Sequence, residues 1–287
     1  MKKILILSGK GGTGKTTTAA AFIRFADAKA IADCDVDAPN LHIVTSVDEK
    51  PEETVFYGSE KAVIDSDQCI GCLKCMENCR FNAITEVDGK CKISEYACEG
   101  CGVCELVCPV NAVSMQKDAA GKIDLYTKDR VFATAKLKMG RGNSGKLVTE
   151  VKRTMTKAAD TDLAIIDGSP GIGCPVIASV SGVDLVLIVA EPSLSGLSDL
   201  KRILKTTSIL QTQAVVCVNK YDIDEDKTSK IEEVCRELEI PFVGRIPYDK
   251  HASAAINGGI SIADVDCPAR DALHLVYNNT LNILNNQ

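Results

Sequence analysis

KKILILS at residues 2–8 runs straight into GKGGTGKTT at residues 9–17, and this junction decides the fold. The first segment is a short, continuous apolar run. That pattern suits a strand buried on both faces of a parallel sheet. The second has the G-x-x-x-x-G-K-T form of a phosphate loop, following a strand and opening a helix. Backbone N–H groups of Gly9, Gly11, Gly12, Thr13 and Gly14 can cradle phosphate oxygens, and the helix N-terminus adds its positive dipole. Lys15 is expected to reach the β- and γ-phosphates, with Thr16 offering its hydroxyl to magnesium and Thr17 continuing the loop into the helix. Against a mere glycine-rich turn stand the full pattern and its flanks.

Working outward, a helix is expected from Lys15 to about Ala28, then a strand ending in ADCD at residues 32–35. Further strand-like runs are DLAIID (162–167), DLVLIVA (184–190), QAVVCVN (213–219) and FVGRIP (242–247). Helical patterns fall between them, around Ser198–Leu210 and Lys227–Leu238. Strands alternating with helices imply right-handed crossovers and a doubly wound, mostly parallel α/β sheet. Between residues 61 and 117 the long apolar runs stop and cysteines crowd together. The expected organisation is a P-loop domain in two parts, 1–60 and 118–287, interrupted by a small inserted domain at 61–117.

A second lysine, Lys10, stands near the start of the phosphate loop, and KGGTGKTT resembles the MinD/ParA group of deviant Walker A ATPases. The resemblance implies a homodimer with two ATP molecules at its interface, Lys10 reaching across to the partner's nucleotide. It also implies a Walker B role for Asp167, which ends an apolar strand in DLAIIDGSPGIG. The segment after it matches the group's second switch. In ADCDVDAPNLH, Asp33 and Asp35 match the first switch: Asp35 orients the attacking water and Asp33 lies near Mg2+. Asp37 has no counterpart there and reads as exposed. Asn219-Lys220-Tyr221-Asp222 has the NKxD form that selects guanine in GTP-binding proteins. In the resembling group an Asn at this strand end contacts adenine, and IPYD at 246–249 resembles its other base-contacting loop. ATP is therefore the expected nucleotide, with GTP left open.

Cys69, Cys72, Cys75 and Cys79 form C-x2-C-x2-C-x3-C, and Cys98, Cys101, Cys104 and Cys108 repeat it, followed by Pro109. This is the two-cluster ferredoxin signature, in which the fourth cysteine of each run ligates the other cluster. One 4Fe–4S cluster is expected on Cys69, Cys72, Cys75 and Cys108, and a second on Cys98, Cys101, Cys104 and Cys79. Zinc, the competing reading, would leave the third cysteine of each run unexplained. Arg80 replaces the first run's proline; it either raises a cluster potential or is simply solvated, the second being preferred. Cys34, Cys91, Cys217, Cys235 and Cys267 read as small packing residues. Cys174 sits where the related nitrogenase iron protein carries a cluster ligand. The corresponding upstream region, MGRGNSGKLV at 139–148, holds no second cysteine, so Cys174 is read as structural.

Fourteen cysteines without an export signal after Met1-Lys2-Lys3 point to metal binding in a reducing cytoplasm rather than to disulfides. A net charge of −6 argues against a surface that coats nucleic acid. No apolar run is long enough for a bilayer. The C-terminal LHLVYNNTLNILNNQ lacks the basic residues of an amphipathic membrane anchor. The expected function is an ATP-driven switch that gates electron transfer through the clusters to a redox partner. Assembly of clusters for an apo-metalloprotein, as in Mrp-like relatives, is the alternative. Spatial organisation ranks third.

Overall fold

Ile4 to Leu7 have no exposed surface, as a central strand covered on both faces requires. The computed structural model describes residues 1–45, 47 and 49–286; Ser46, Asp48 and Gln287 lie outside the described residues. In chain order the first strands are β1 (Lys2–Leu7), β2 (Ala30–Asp33), β3 (Glu52–Tyr57), β4 (Lys61–Ile64) and β5 (Ile84–Val87). They continue with β6 (Lys90–Ile93), β7 (Val113–Gln116), β8 (Ala119–Tyr126) and β9 (Val131–Leu137). The last four are β10 (Leu163–Asp167), β11 (Leu185–Ala190), β12 (Gln213–Asn219) and β13 (Phe242–Ile246). The helices are α1 (Lys15–Phe25), α2 (Leu41–Val44), α3 (Lys74–Glu77), α4 (Val103–Leu106) and α5 (Ser144–Ala158). After them come α6 (Cys174–Val180), α7 (Leu194–Ile209), α8 (Glu225–Glu237), α9 (Lys250–Asn257) and α10 (Pro268–Asn285).

The chain forms two compact units: 1–53, 123–136 and 144–287 in one, 54–122 and 137–143 in the other. In the first, seven strands pair in parallel in the order β13-β12-β11-β1-β10-β2-β9. From β1 the chain moves to one side, to β2, and after β10 to the other. The crevice beyond the carboxyl ends of β1 and its neighbours is thus the place for a ligand in such a sheet. One face of the core joins Ile4, Ile6, Phe22, Ile31, Ile165 and Leu187. Phe22 of α1 meets Tyr277 of α10 edge to face at 5.1 Å.

Element ends have local causes. The strand expected to run to Asp35 ends at Asp33, because the Asp33 side chain accepts the backbone N–H groups of Asp35, Asn40 and Leu41 at 3.0–3.1 Å and turns the chain. Helix α7 starts earlier than expected, at Leu194, where Ser193 caps it by accepting the Gly196 N–H. Asp224 does the same for α8 through Lys227. Among the described residues no helix is long and apolar enough to cross a membrane; α10 buries Leu273, Val276, Tyr277 and Leu284.

The second unit is internally repeated. Two antiparallel pairs, β4 with β7 and β5 with β6, flank the short helices α3 and α4. Lys61, Cys69, Leu73 and Asn82 correspond to Lys90, Cys98, Gly102 and Asn111. The backbone follows suit: the Cys69 and Cys98 N–H groups each donate to the residue four before, Asp65 and Ser94, at 3.0 Å. Leu73 and Gly102 both have positive φ, as do Asn82 and Asn111. The change in composition places the borders at 61 and 117, whereas the compact unit comprises 54–122 and 137–143. Arg141 explains the second part. It donates to the Glu95 carbonyl at 2.8 Å, pairs with the carboxylates of Glu95 and Asp118, and lies over the Tyr96 ring.

Candidate functional site

Helix α1 begins at Lys15 behind Gly14, whose φ of 95° is a left-handed conformation. No side chain among the described residues caps this helix, so its first N–H groups face outward, available to an anion. Asn219 at the end of β12 donates to the Thr13 carbonyl at 2.7 Å, and Lys220 donates to the Gly12 carbonyl at 3.1 Å. The loop is thus held from the neighbouring strand. A Cβ on Gly14 would come within 2.2 Å of the Asn219 amide nitrogen. Gly14→Ala combines left-handed backbone strain with displacement of that amide, and is expected to cost about 2–4 kcal/mol of stability. Chemical denaturation checks this; a loss under 1 kcal/mol would mean the loop relaxes freely.

Asp167 ends β10 with no exposed surface. It accepts from Lys15 Nζ at 2.6 Å and from Thr16 Oγ1 at 2.8 Å. Asp35 lies 3.8 Å from the same Lys15 nitrogen. Burial opposes the lysine charge, but Asp167 and then Asp35 outweigh it and hold its pKa above the ordinary value. The Asp33 carboxyl is pushed upward, first by burial and then by Asp167. Burial likewise raises Asp35. Phosphate-loop lysine and threonine, Asp167 and Asp35 are therefore gathered at one place. Asp33 is spent on three backbone N–H groups, which gives it a part in shaping the 35–41 loop. Asp37 is exposed.

Lys15, Thr16, Asp35 and Asp37 line a cavity of about 860 Å³ that extends past Asn219 and Lys220 to Pro247, Tyr248 and Leu273. Asp222 accepts the Tyr248 N–H at 2.7 Å, so NKxD and IPYD form one joined rim. Lys10 also lines this cavity, with its ammonium 3.3 Å from Glu191 and 3.4 Å from Ser195. Gly9 packs so closely on Asp199 of α7 that a Cβ would meet it at 2.2 Å. Glu191, Ser195, Asp199 and the loop contact of Lys220 were not anticipated. Only Lys220 left a signal, through its place beside Asn219.

In the other unit the cysteine runs ring two small cavities. One is lined by Cys69, Cys72, Cys75 and Cys108, the other by Cys79, Cys98, Cys101 and Cys104. Each combines three cysteines of one run with the fourth of the other. The Ala112 N–H donates to the Cys108 sulfur at 3.2 Å. Among the described residues, no group of three or more His, Cys, Asp or Glu side chains converges on a point that could hold a metal ion. Arg80 is exposed. Cys34, Cys217, Cys235 and Cys267 are buried, as packing residues would be, and burial pushes the Cys217 thiol up to about 12. Cys174 is exposed at the start of α6.

A parallel sheet with a phosphate loop at its switch point, facing a strand-end aspartate, defines a P-loop nucleotide-binding protein. Residues 4–262 match the CobQ/CobB/MinD/ParA nucleotide binding domain, and the chain belongs to that family. It is 31% identical over 280 residues to an uncharacterized protein of Methanocaldococcus jannaschii, covering 96% of this chain and 95% of that one. It is 26% identical to an uncharacterized ATP-binding protein of the same organism, over 94% of this chain and 84% of the other. Among solved structures it resembles the cell division ATPase MinD of Pyrococcus furiosus, with a TM-score of 0.58, 19% identity and 98% and 99% of the two chains covered. The protein is a P-loop ATPase of MinD/ParA type.

Proposed function

We propose that this ATPase is a nucleotide-driven switch that gates electron transfer through two 4Fe–4S clusters to a partner protein. The observation that carries the reading is the pair of cysteine-lined cavities, each drawing three residues from one run and one from the other. That crossed pattern is what two cubane clusters need, and eight soft sulfur donors suit iron–sulfur chemistry. Each bound cluster would supply one-electron chemistry. Cys69, Cys72, Cys75 and Cys108 would hold the first, and Cys98, Cys101, Cys104 and Cys79 the second.

ATP is the nucleotide assigned. One Asp222 oxygen accepts the Tyr248 backbone, an arrangement that competes with guanine recognition, and one relative is described as ATP-binding. Thr16 and Asp167 present hard oxygen donors side by side, which fits Mg2+, with Asp33 behind them. Bound magnesium would neutralise charge on the phosphate oxygens. Lys15 would leave Asp167 for the phosphates, and Asp35, on the same wall, would orient the attacking water.

Lys10 is given the trans role in a homodimer. It is half-exposed and, among the described residues, its ammonium is held by Glu191 and Ser195 at the surface, so little opposes its release. Lys10→Ala is expected to bind ATP normally but to lose ATP-dependent dimerisation and hydrolysis. Normal turnover in that variant would remove the trans assignment.

The experiment for the whole reading measures the clusters as a function of nucleotide. ATP should shift the potential of at least one cluster or its reactivity toward an iron chelator. Asp35→Ala, which keeps binding but slows hydrolysis about 10²–10⁴-fold, should lock the shifted state. Electrons reaching a partner during turnover support the gating role; labelled iron passing to an apo-protein would replace it with cluster assembly. If neither potential, chelator access nor iron retention responds to ATP, the proposal fails.

A further inference from the structure

The repeat in the cysteine-bearing unit is broken at one buried position. Strands β4 and β6 are equivalent, and their second residues are Ala62 and Cys91. Both are buried, at 4% and 5% exposure. Ala62 lines the cavity of Cys79, Cys98, Cys101 and Cys104, whereas Cys91 lines that of Cys69, Cys72, Cys75 and Cys108. The two cavities therefore differ by a fifth thiol. Its side chain is packed in the same buried cluster as Cys75 and lines the cavity beside Cys69, Cys72 and Cys108.

We propose that Cys91, the fifth thiol of the first cavity, is a hydrogen-bond donor to the sulfurs around it and makes the two iron–sulfur centres unequal in potential. The proposal rests on the two-cluster reading above. Four sulfurs already serve as ligands to that cavity, so the fifth is accommodated as S–H. A hydrogen bond to ligand sulfur stabilises the more negative, reduced cluster and raises its potential. Ala62 offers the second cavity no such donor. Within a frame that otherwise repeats, the first centre is therefore the better electron acceptor. Internal transfer runs downhill toward Cys69, Cys72, Cys75 and Cys108.

The test is a redox titration of the anaerobic full-length protein followed by EPR. Cys91→Ala reproduces the residue found at the equivalent position of β4, and should keep full iron. It should lower one potential by a tenfold change in reduction equilibrium, 59 mV for a one-electron couple. Ala62→Cys should raise the other centre by a similar factor, and Cys91→Ser should fall between wild type and Cys91→Ala. Repeating the titration in Cys72→Ser and Cys101→Ser backgrounds identifies which centre moves. Unmoved potentials in an iron-loaded Cys91→Ala protein overturn the role of Cys91 alone. Loss of a whole cluster in that variant overturns it too, by making Cys91 a ligand. A wild-type protein that takes up no iron overturns the two-cluster reading and this proposal with it.

Discussion

Lys15→Ala is expected to weaken ATP binding by about two to four orders of magnitude, through loss of charge-assisted hydrogen bonds worth roughly 1.5–3 kcal/mol each to two phosphates. The residue is 6% exposed and already committed to Asp167 at 2.6 Å, with Asp35 at 3.8 Å. Its ammonium offsets part of the carboxylate charge before nucleotide arrives. With nucleotide bound, Thr16 and Asp167 would hold magnesium and Lys15 would turn to the phosphates. Removing it damages both states. Asp167, with no exposed surface, keeps only the Thr16 hydroxyl among the side-chain donors described here. The empty variant should therefore also lose about 3–5 kcal/mol of stability, as for a broken buried pair. Titration with a fluorescent nucleotide, beside a denaturation curve, separates the two effects. Binding within fivefold of wild type would mean that the loop backbone alone carries affinity.

Legibility in the sequence followed the physics of each part. Strands β1, β10, β11 and β12 are continuous apolar runs because both faces are covered, and they could be read directly. The phosphate loop needs glycines, a lysine and a hydroxyl at fixed offsets, so it was equally plain. Strands β8 and β9 were not read. Asp124, Lys122 and Thr134 interrupt their apolar pattern, and β8 serves both units. The role of Asp33 was hidden because a carboxylate that ties down a loop and one that faces magnesium look alike in sequence. Its partners are backbone N–H groups, which carry no residue signature. The contacts of Lys10 were hidden for a related reason: Glu191 and Ser195 are remote in the chain and meet it only once β11 lies beside β1. Cys91 falls outside both spaced runs, and only the fold, which sets β6 beside the first run, brings it to the first cavity.

Iron content should give the plainest result of all. Anaerobically prepared protein is expected to be brown and to hold about eight irons per chain, with EPR signals from two reduced clusters. Cys72 and Cys101 are the exposed members of their runs, so replacing them removes a ligand without opening a hole in the core formed by Cys75, Cys98 and Cys104. Cys72→Ser should therefore damage only the first centre and Cys101→Ser only the second, each leaving about four irons and one EPR signal. The crossed assignment makes a sharper demand. Cys79 follows Cys75 in sequence but lines the cavity of the second run, and Cys108 lines that of the first. Cys79→Ser should then alter the same spectrum as Cys101→Ser, and Cys108→Ser the same as Cys72→Ser. Uncrossed ligation predicts the opposite pairing, so the four variants decide it without reference to activity. Stoichiometric zinc after anaerobic reconstitution with iron and sulfide would rule out the clusters, since a zinc site needs only four converging ligands near 2.3 Å. The ATPase would then stand without its redox role.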